Sequence, residues 1–389
     1  MREILIVGAG FAGSVLAQKF ASSGHRVTVL EQRSHIGGNC YDFMDEQSVR
    51  QHLYGPHIFH TNSTQVSEYL SNYTKWMPYQ HKVLGLIDGK LLPIPFNLTG
   101  IEACFPAHEA NAIKGLLVSK YGMGSKVPIL ELRKNKDPLL SKLADFIYEK
   151  VFLHYTMKQW GQSPDEIDQA VTDRVPVNVS YDDRYFNDSF QMMPLQGYTA
   201  IFKKLLMHPS IKVELNVDAC ERIQLDPDKG TIAYNGSDFA GTLIYTGCID
   251  RLFQYALGKL SYRSLDFDVQ YKEGTYQPVT TVNYPTPVIE HAYTRITEYK
   301  HMMLSKPENT TIAIEYPMAY DRDGQKGNIP YYPIFTKESQ NQYESYKELA
   351  KKIPQLTLVG RLAEYRYYNM DAIILRALEV FEELQDANG

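Results

Sequence analysis

Cysteine is scarce. Cys40, Cys104, Cys220 and Cys248 are the only four in 389 residues, far apart and without a CxxC pair. That spacing speaks against a zinc site or a disulfide frame and fits thiols kept reduced in a cytoplasm. No apolar run approaches the roughly 20 residues of a membrane span. The first strand begins within three residues of Met1, which leaves no room for a signal peptide. The expectation is a cytoplasmic protein with no membrane partner. A basic excess is also lacking: 40 Lys and Arg stand against 45 Asp and Glu, for a net charge of -5. This excludes a general nucleic-acid binder, and any anion met by local arginines should be small. Repeats and low-complexity tracts are absent, and no metal site is expected.

What is present is a soluble composition, 44% hydrophobic and 22% charged, over a length that predicts two or three domains. Residues 4 to 39 organise it. The apolar strand Ile4-Leu5-Ile6-Val7 runs into Gly8-x-Gly10-Phe11-Ala12-Gly13, an amphipathic helix follows to Ser22, and a second strand ends in Glu31, 18 residues after Gly13. Gly8 allows the tight turn, Gly10 lets backbone approach a pyrophosphate, and Gly13 lets helix and strand pack closely. The helix N-terminus offers unpaired N–H groups to the phosphates, and the Glu31 carboxylate can accept ribose hydroxyls. Gln32, Arg33 and the second glycine turn Gly37-Gly38-Asn39 tilt the cofactor from nicotinamide toward FAD, by likeness to flavoproteins.

Further along, Tyr54-Gly55-Pro56-His57-Ile58-Phe59-His60-Thr61 is a Gly-Pro turn bearing two histidines, which on residue types alone reads as a loop bonded to backbone. From about Ser67 to Ala170 apolar residues recur at helical spacing, as in Leu139, Leu140, Leu143, Phe146 and Ile147, with prolines between, which predicts an inserted helical bundle. It ends in His154-Tyr155-Thr156-Met157-Lys158-Gln159-Trp160-Gly161. A helix is expected over 198–207, strands at 211–215 and 242–247, and an antiparallel sheet in the aromatic, extended stretch 266–316. A helix over 341–352 and a strand at 356–359 follow. The final helix is expected over 371–384 with Asp371 as N-cap. The predicted fold is α/β: a discontinuous Rossmann-like domain (1–75, 195–250, 340–389), a helical bundle (76–170) and an antiparallel sheet domain (171–194, 251–339).

These motifs, with Arg174-Val-Pro, Tyr185-Phe, Tyr293-Thr-Arg295-Ile-Thr-Glu, Ile329-Pro-Tyr331-Tyr332-Pro333 and Gly360-Arg361-Leu362 through Asp371, together resemble the bacterial UDP-galactopyranose mutases along nearly the whole chain. The resemblance implies an isomerase that interconverts the pyranose and furanose forms of a nucleotide-activated hexose. In that family N5 of reduced FAD attacks the anomeric carbon. It implies that Arg174 and Arg295 grip the diphosphate and stabilise the leaving group. Tyr185, Tyr367 and either Tyr331 or Tyr332 would donate to the same phosphates, and Tyr155, Thr156 and Trp160, with Phe152 close by, would hold the uracil. His57 and His60 would lie beside the flavin, with Ile58, and Arg361, Tyr367, Met370 and the last helix would meet it from the other side. A homodimer is implied as well.

Three positions depart from the family pattern: His81 stands where asparagine is usual, Asn369 where aspartate is usual, and His154 where glycine precedes Tyr155-Thr156. The first two lie, by analogy, near the sugar and flavin, so a dTDP-linked 6-deoxy sugar such as fucose is the alternative to UDP-galactose. A flavin amine oxidase, of a different class, would share the cradle but would give no reason for the two arginine motifs.

Overall fold

The computed structural model describes residues 2–161 and 176–386. Its centre is a five-stranded sheet in the order Ile211–Glu214, Arg26–Leu30, Glu3–Val7, Thr242–Tyr245, Leu356–Leu358, every pair parallel. A parallel sheet is covered on both faces, which is why its central strand runs Ile4-Leu5-Ile6-Val7 without alternation, while the edge strand Ile211–Glu214 alternates apolar and charged residues. Ile4 and Ile6 belong to one core and Leu5 to another on the opposite face, as the two-residue period of a strand requires. The first face is covered by the helix Phe11–Ser22, which meets the final helix through Phe20 and Phe381, 5.1 Å apart, and the helix Tyr198–Leu205 through Phe11 and Phe202, 4.6 Å apart.

The second large sheet has seven strands, Tyr332–Pro333, Tyr262–Lys272, Thr310–Ala319, Arg295–Glu298, Thr281–Asn283, Val83–Ile87 and Lys90–Ile94, antiparallel except where Thr281–Asn283 meets Val83–Ile87. The last two strands fall inside the stretch expected to be helical. The reason is local: Val83 to Ile94 is two apolar runs joined by Asp88-Gly89, both at positive φ (47° and 76°), the pairing that closes a two-residue hairpin.

Beyond the hairpin the bundle forms as expected. The helices Leu98–Cys104, Ala107–Tyr121 and Pro138–Ile147 bury Ile113, Leu117, Leu140 and Leu143 against Val83, Leu92 and Ile94 of the hairpin. Pro138 follows Asp137, whose Oδ1 accepts the Leu139 and Leu140 amides at 2.9 and 3.3 Å, so the third helix is started by a side-chain cap. It continues through a π-helical turn, Tyr148–Leu153, into the helix His154–Trp160. A three-stranded sheet of Phe59–Thr61, Phe190–Pro194 and Trp76–Pro78 carries the histidine loop. A smaller antiparallel sheet, Ile223–Asp226, Thr231–Tyr234 and Ser237–Asp238, was not anticipated.

The final helix runs from Met370 to Asp386, one residue earlier than expected. Asp371 is not its cap: its carboxylate accepts the Ala372 amide within the first turn, and the carbonyl of Asn369 takes the Ile373 amide at 3.1 Å. Among the described residues, no helix is long and apolar enough to cross a membrane.

Candidate active site

The turn after the first strand follows from its glycines. Gly8, at φ +100°, lies where a Cβ would stand 2.1 Å from Thr246 Oγ1, and a Cβ on Gly13 would stand 1.9 Å from the Gly8 carbonyl. Gly10 differs, since a Cβ there would meet nothing closer than Gly38, at 3.7 Å. Gly8 and Gly13 are thus demanded by the protein's own packing, while Gly10 keeps a space clear. Glu31, 5% exposed, accepts the Ala9 amide at 2.8 Å on Oε2 and the Arg33 amide at 2.9 Å on Oε1. Each carboxylate oxygen keeps a further lone pair.

Around this turn lies a cavity of about 790 Å³, walled by Gly8, Gly10, Phe11, Ala12, Glu31, Gln32, Arg33, Gly38 and Asn39, and closed from the far side by Arg361 and Met370. Arg33 lies over the Tyr54 ring at 4.2 Å and donates to Asn39 Oδ1 at 2.8 Å. Its other terminal nitrogen, Nη1, is buried with no partner among the described residues. A buried guanidinium nitrogen without an acceptor is costly, and it lines a volume bordered by helix-terminal amides. A dinucleotide with an anionic linker fits both features: the glycine turn and amides would take the pyrophosphate, and Glu31 the ribose.

A second cavity of about 240 Å³ adjoins the first. Asn39, Tyr54, His57, Tyr331, Arg361, Asn369 and Met370 line both. His57 Nδ1 is 2.9 Å from the Gly55 carbonyl, so Nδ1 is the protonated nitrogen and Nε2 the acceptor. Burial, with His52 beside it, pulls its pKa down to about 3, and His57 is neutral at physiological pH. His81 is 5% exposed and is likewise pulled down to about 3 by burial, then by Arg295 and His60. Its Nδ1 lies 3.2 Å from the Tyr79 hydroxyl, which bonds onward to Thr280 at 2.5 Å. His60 holds Asp188 at 3.0 Å and stacks on Phe186 with centroids 3.6 Å apart.

One wall of the small cavity is the seven-stranded sheet. Arg295 projects from it, its Nε and Nη2 on Glu315 Oε2 at 2.8 and 2.7 Å. Burial works against the Arg295 charge, but Glu315, Tyr155 and Tyr332 together outweigh it and hold the guanidinium protonated. Glu315 is 1% exposed, and its Oε1 has no partner among the described residues. Thr281 and Asn283, on the neighbouring strand, line the same cavity with Oγ1 and Oδ1 equally buried and unpartnered there. Sequence reasoning missed both. Their signal was the alternation Thr281-Val282-Asn283, which puts two polar side chains on one face of a strand whose apolar member, Val282, is 2% exposed. At the far end of the large cavity Arg251 and Arg322, also unanticipated, share the Asp218 carboxylate.

Of the residues expected at the substrate or beside the flavin, the small cavity gathers His57, Ile58, His60, His81, Tyr155, Tyr185, Arg295, Tyr331, Tyr332, Tyr367 and Asn369. The two tyrosines in question separate. Tyr331 is 3% exposed and lines both cavities. Tyr332 stacks on Tyr367 with centroids 5.9 Å apart, has Trp160 at 6.2 Å, and takes the Arg361 guanidinium at 5.3 Å over its ring. Phe152, expected close to the uracil, is 1% exposed in the bundle core, sits in the π-helical turn and lines neither cavity. Thr156, 5% exposed, and Trp160 line neither cavity. Arg174 lies outside the described residues.

The chain matches a UDP-galactopyranose mutase family model over residues 150–367 and an NAD(P)-binding Rossmann-like domain model over 6–73. It is 36% identical to a probable UDP-galactopyranose mutase of Klebsiella pneumoniae, covering 98% of this chain and 94% of that protein. It is 33% identical to the dTDP-fucopyranose mutase of Escherichia coli, covering 97% of each. The solved structure of a reduced UDP-galactopyranose mutase superposes with a TM-score of 0.74 over 100% of this chain and 96% of the other, at 17% identity, a likeness of fold. On the family model, which spans more than half the chain, and on the full-length identities, this protein belongs to the UDP-galactopyranose mutase family.

Proposed function

We propose that the protein is a FAD-dependent mutase that interconverts UDP-galactopyranose and UDP-galactofuranose with no net redox change. The observation that carries the reading is the seam between the two cavities. The large cavity around the glycine turn shares His57, Tyr331 and Asn369 with a smaller one lined by Arg295 and by the unpartnered polar atoms of Thr281 and Asn283. Reduced flavin, when bound, supplies a nucleophilic ring nitrogen for the anomeric carbon.

The chain's own residues bind and orient. Arg295, held by Glu315, is the cation for the departing diphosphate, and its planar fork suits phosphate oxygens. Tyr185, Tyr332 and Tyr367 supply phenolic donors beside it, and Arg174 is the second cation of the pair. Tyr155 lines the small cavity and Trp160 flanks Tyr332, the placement proposed for the nucleobase end. Neutral His57 offers no general acid at physiological pH and presents an acceptor at Nε2. Thr281 Oγ1 and Asn283 Oδ1 would read sugar hydroxyls, which ends their unpaired burial. Family likeness supports a homodimer. The test is turnover by dithionite-reduced enzyme under anaerobic conditions, with furanose product resolved by chromatography.

A second reading, a dTDP-fucopyranose mutase, is favoured by His81 with its neighbours Tyr185 and Phe186, 5.7 and 5.8 Å away. With Val83 and Leu265 they give the small cavity an apolar wall that suits a 6-deoxy methyl group. Parallel assays with the two nucleotide sugars discriminate the readings.

A further inference from the structure

Lys158 is a buried cation that touches neither cavity. It is 6% exposed, and Nζ donates to three backbone carbonyls, those of Tyr284 at 2.6 Å, Tyr293 at 2.8 Å and His291 at 3.0 Å. All three belong to the stretch that leads into the strand Arg295–Glu298. A second cation grips the same helix from the sheet: Arg263, 8% exposed, donates to the carbonyls of Gln159 at 3.0 Å and Lys158 at 3.2 Å. Those carbonyls lie in the last turn, where a helix has no acceptors' partners of its own. The helix His154–Trp160 is the last stretch of the helical run that begins at Pro138, and Lys158 and Arg263 tie that end to the sheet. Its two ends of interest are Tyr155, on the small cavity, and Trp160, beside Tyr332.

We propose that Lys158 and Arg263 are positioning residues that lock the Tyr155–Trp160 helix against the segment entering Arg295, and so set the distance between the nucleobase and diphosphate ends of the substrate site. The inference rests on the mutase reading. It goes beyond it in assigning nucleotide affinity to two residues that line neither cavity.

The lock depends on charge. An ammonium has three N–H donors for three carbonyls, whereas a neutral amine has two and turns a lone pair on the third. Burial draws the Lys158 pKa down to about 8, and Glu290 pulls the other way. The other titratable residues facing it are those whose carbonyls it holds, Tyr284, His291 and Tyr293, their rings packed on one another and His291 Nδ1 bonded to Thr286, while Arg263 meets the Lys158 backbone carbonyl. Both tyrosines are pushed up by burial and stay neutral in this range. Nucleotide affinity therefore falls as pH rises through about 8.

The experiment is calorimetric titration of UDP into the FAD-loaded protein from about pH 7 to about pH 9.5, with steady-state kinetics of the reduced enzyme alongside. The wild type weakens across that interval. Lys158→Met binds UDP about tenfold more weakly at neutral pH, with the larger change in KM rather than kcat, and loses the pH dependence. Lys158→Arg keeps the charge and is pH-independent, and Arg263→Lys weakens UDP binding without altering flavin absorbance. Wild-type affinity in Lys158→Met, with only the melting temperature lowered, overturns the proposal and leaves the mutase reading standing. A wild-type protein that binds no UDP overturns both.

Discussion

Arg295 and Glu315 form an ion pair that does two kinds of work, and substitutions separate them. The carboxylate is almost wholly buried and one of its oxygens is already unpartnered, so removing the arginine strands a charge in the sheet. Arg295→Met is expected to cost stability at the lower end of the about 3–5 kcal/mol typical of a broken buried pair, since the Arg295 side chain is 25% exposed. Arg295→Lys keeps the charge and most of the stability but loses the fork, and kcat/KM should fall about a hundredfold. Urea midpoints and steady-state rates on the two variants check this together. The histidines give a pH prediction. His52 is lowered to about 4, and His57 and His81 to about 3, from 6.5, each chiefly by burial. The unfolded chain therefore binds protons below 6.5 that the folded chain refuses until pH 4 to 3, and stability drops as pH falls through that window. A urea midpoint unchanged between about pH 7 and about pH 4.5 would contradict it.

At the level of elements, the cradle makes the sharpest contrast. Gly13→Ala drives a methyl onto the Gly8 carbonyl, 1.9 Å away, so both melting temperature and flavin content should fall. Gly10→Ala meets no protein atom within 3.7 Å, so the melting temperature of the apoprotein should hold while flavin content drops. The ratio of flavin to protein absorbance, read beside a melting curve, tests the pair. This element was legible because its constraints are local: strand, turn, helix and acid lie within 31 residues and each demands its own residue type. The hairpin Val83–Ile94 was equally local, with Asp88-Gly89 as its signal, and was hidden by the helical spacing of the residues after it. Phe152 shows the opposite case. It sits in a π-helical step that no residue pattern announces, and it shares the buried core of the bundle with Ile147. Thr281 and Asn283 reach the wall of the small cavity on a strand paired to Val83–Ile87, from a distant part of the chain, which a linear reading does not supply.

The whole molecule brings three remote stretches to one seam. The cradle arrives from residues 4 to 39, the last helix from Met370, and the arginine-bearing sheet from between them, and His57, Arg361 and Asn369 stand where the large and small cavities meet. The parallel sheet is packed on both faces beneath the large cavity, and the mostly antiparallel sheet brings Arg295, Thr281 and Asn283 to the small one. The proposed function is a chemistry without net oxidation. It is tested most directly by incubating the anaerobic, dithionite-reduced protein with UDP-galactopyranose and, separately, dTDP-fucopyranose, and resolving the nucleotide sugars by chromatography. The account predicts the furanose isomer of UDP-galactose at equilibrium, with no oxidant consumed and no turnover by oxidised protein. Absence of furanose from both sugars under reducing conditions would contradict it.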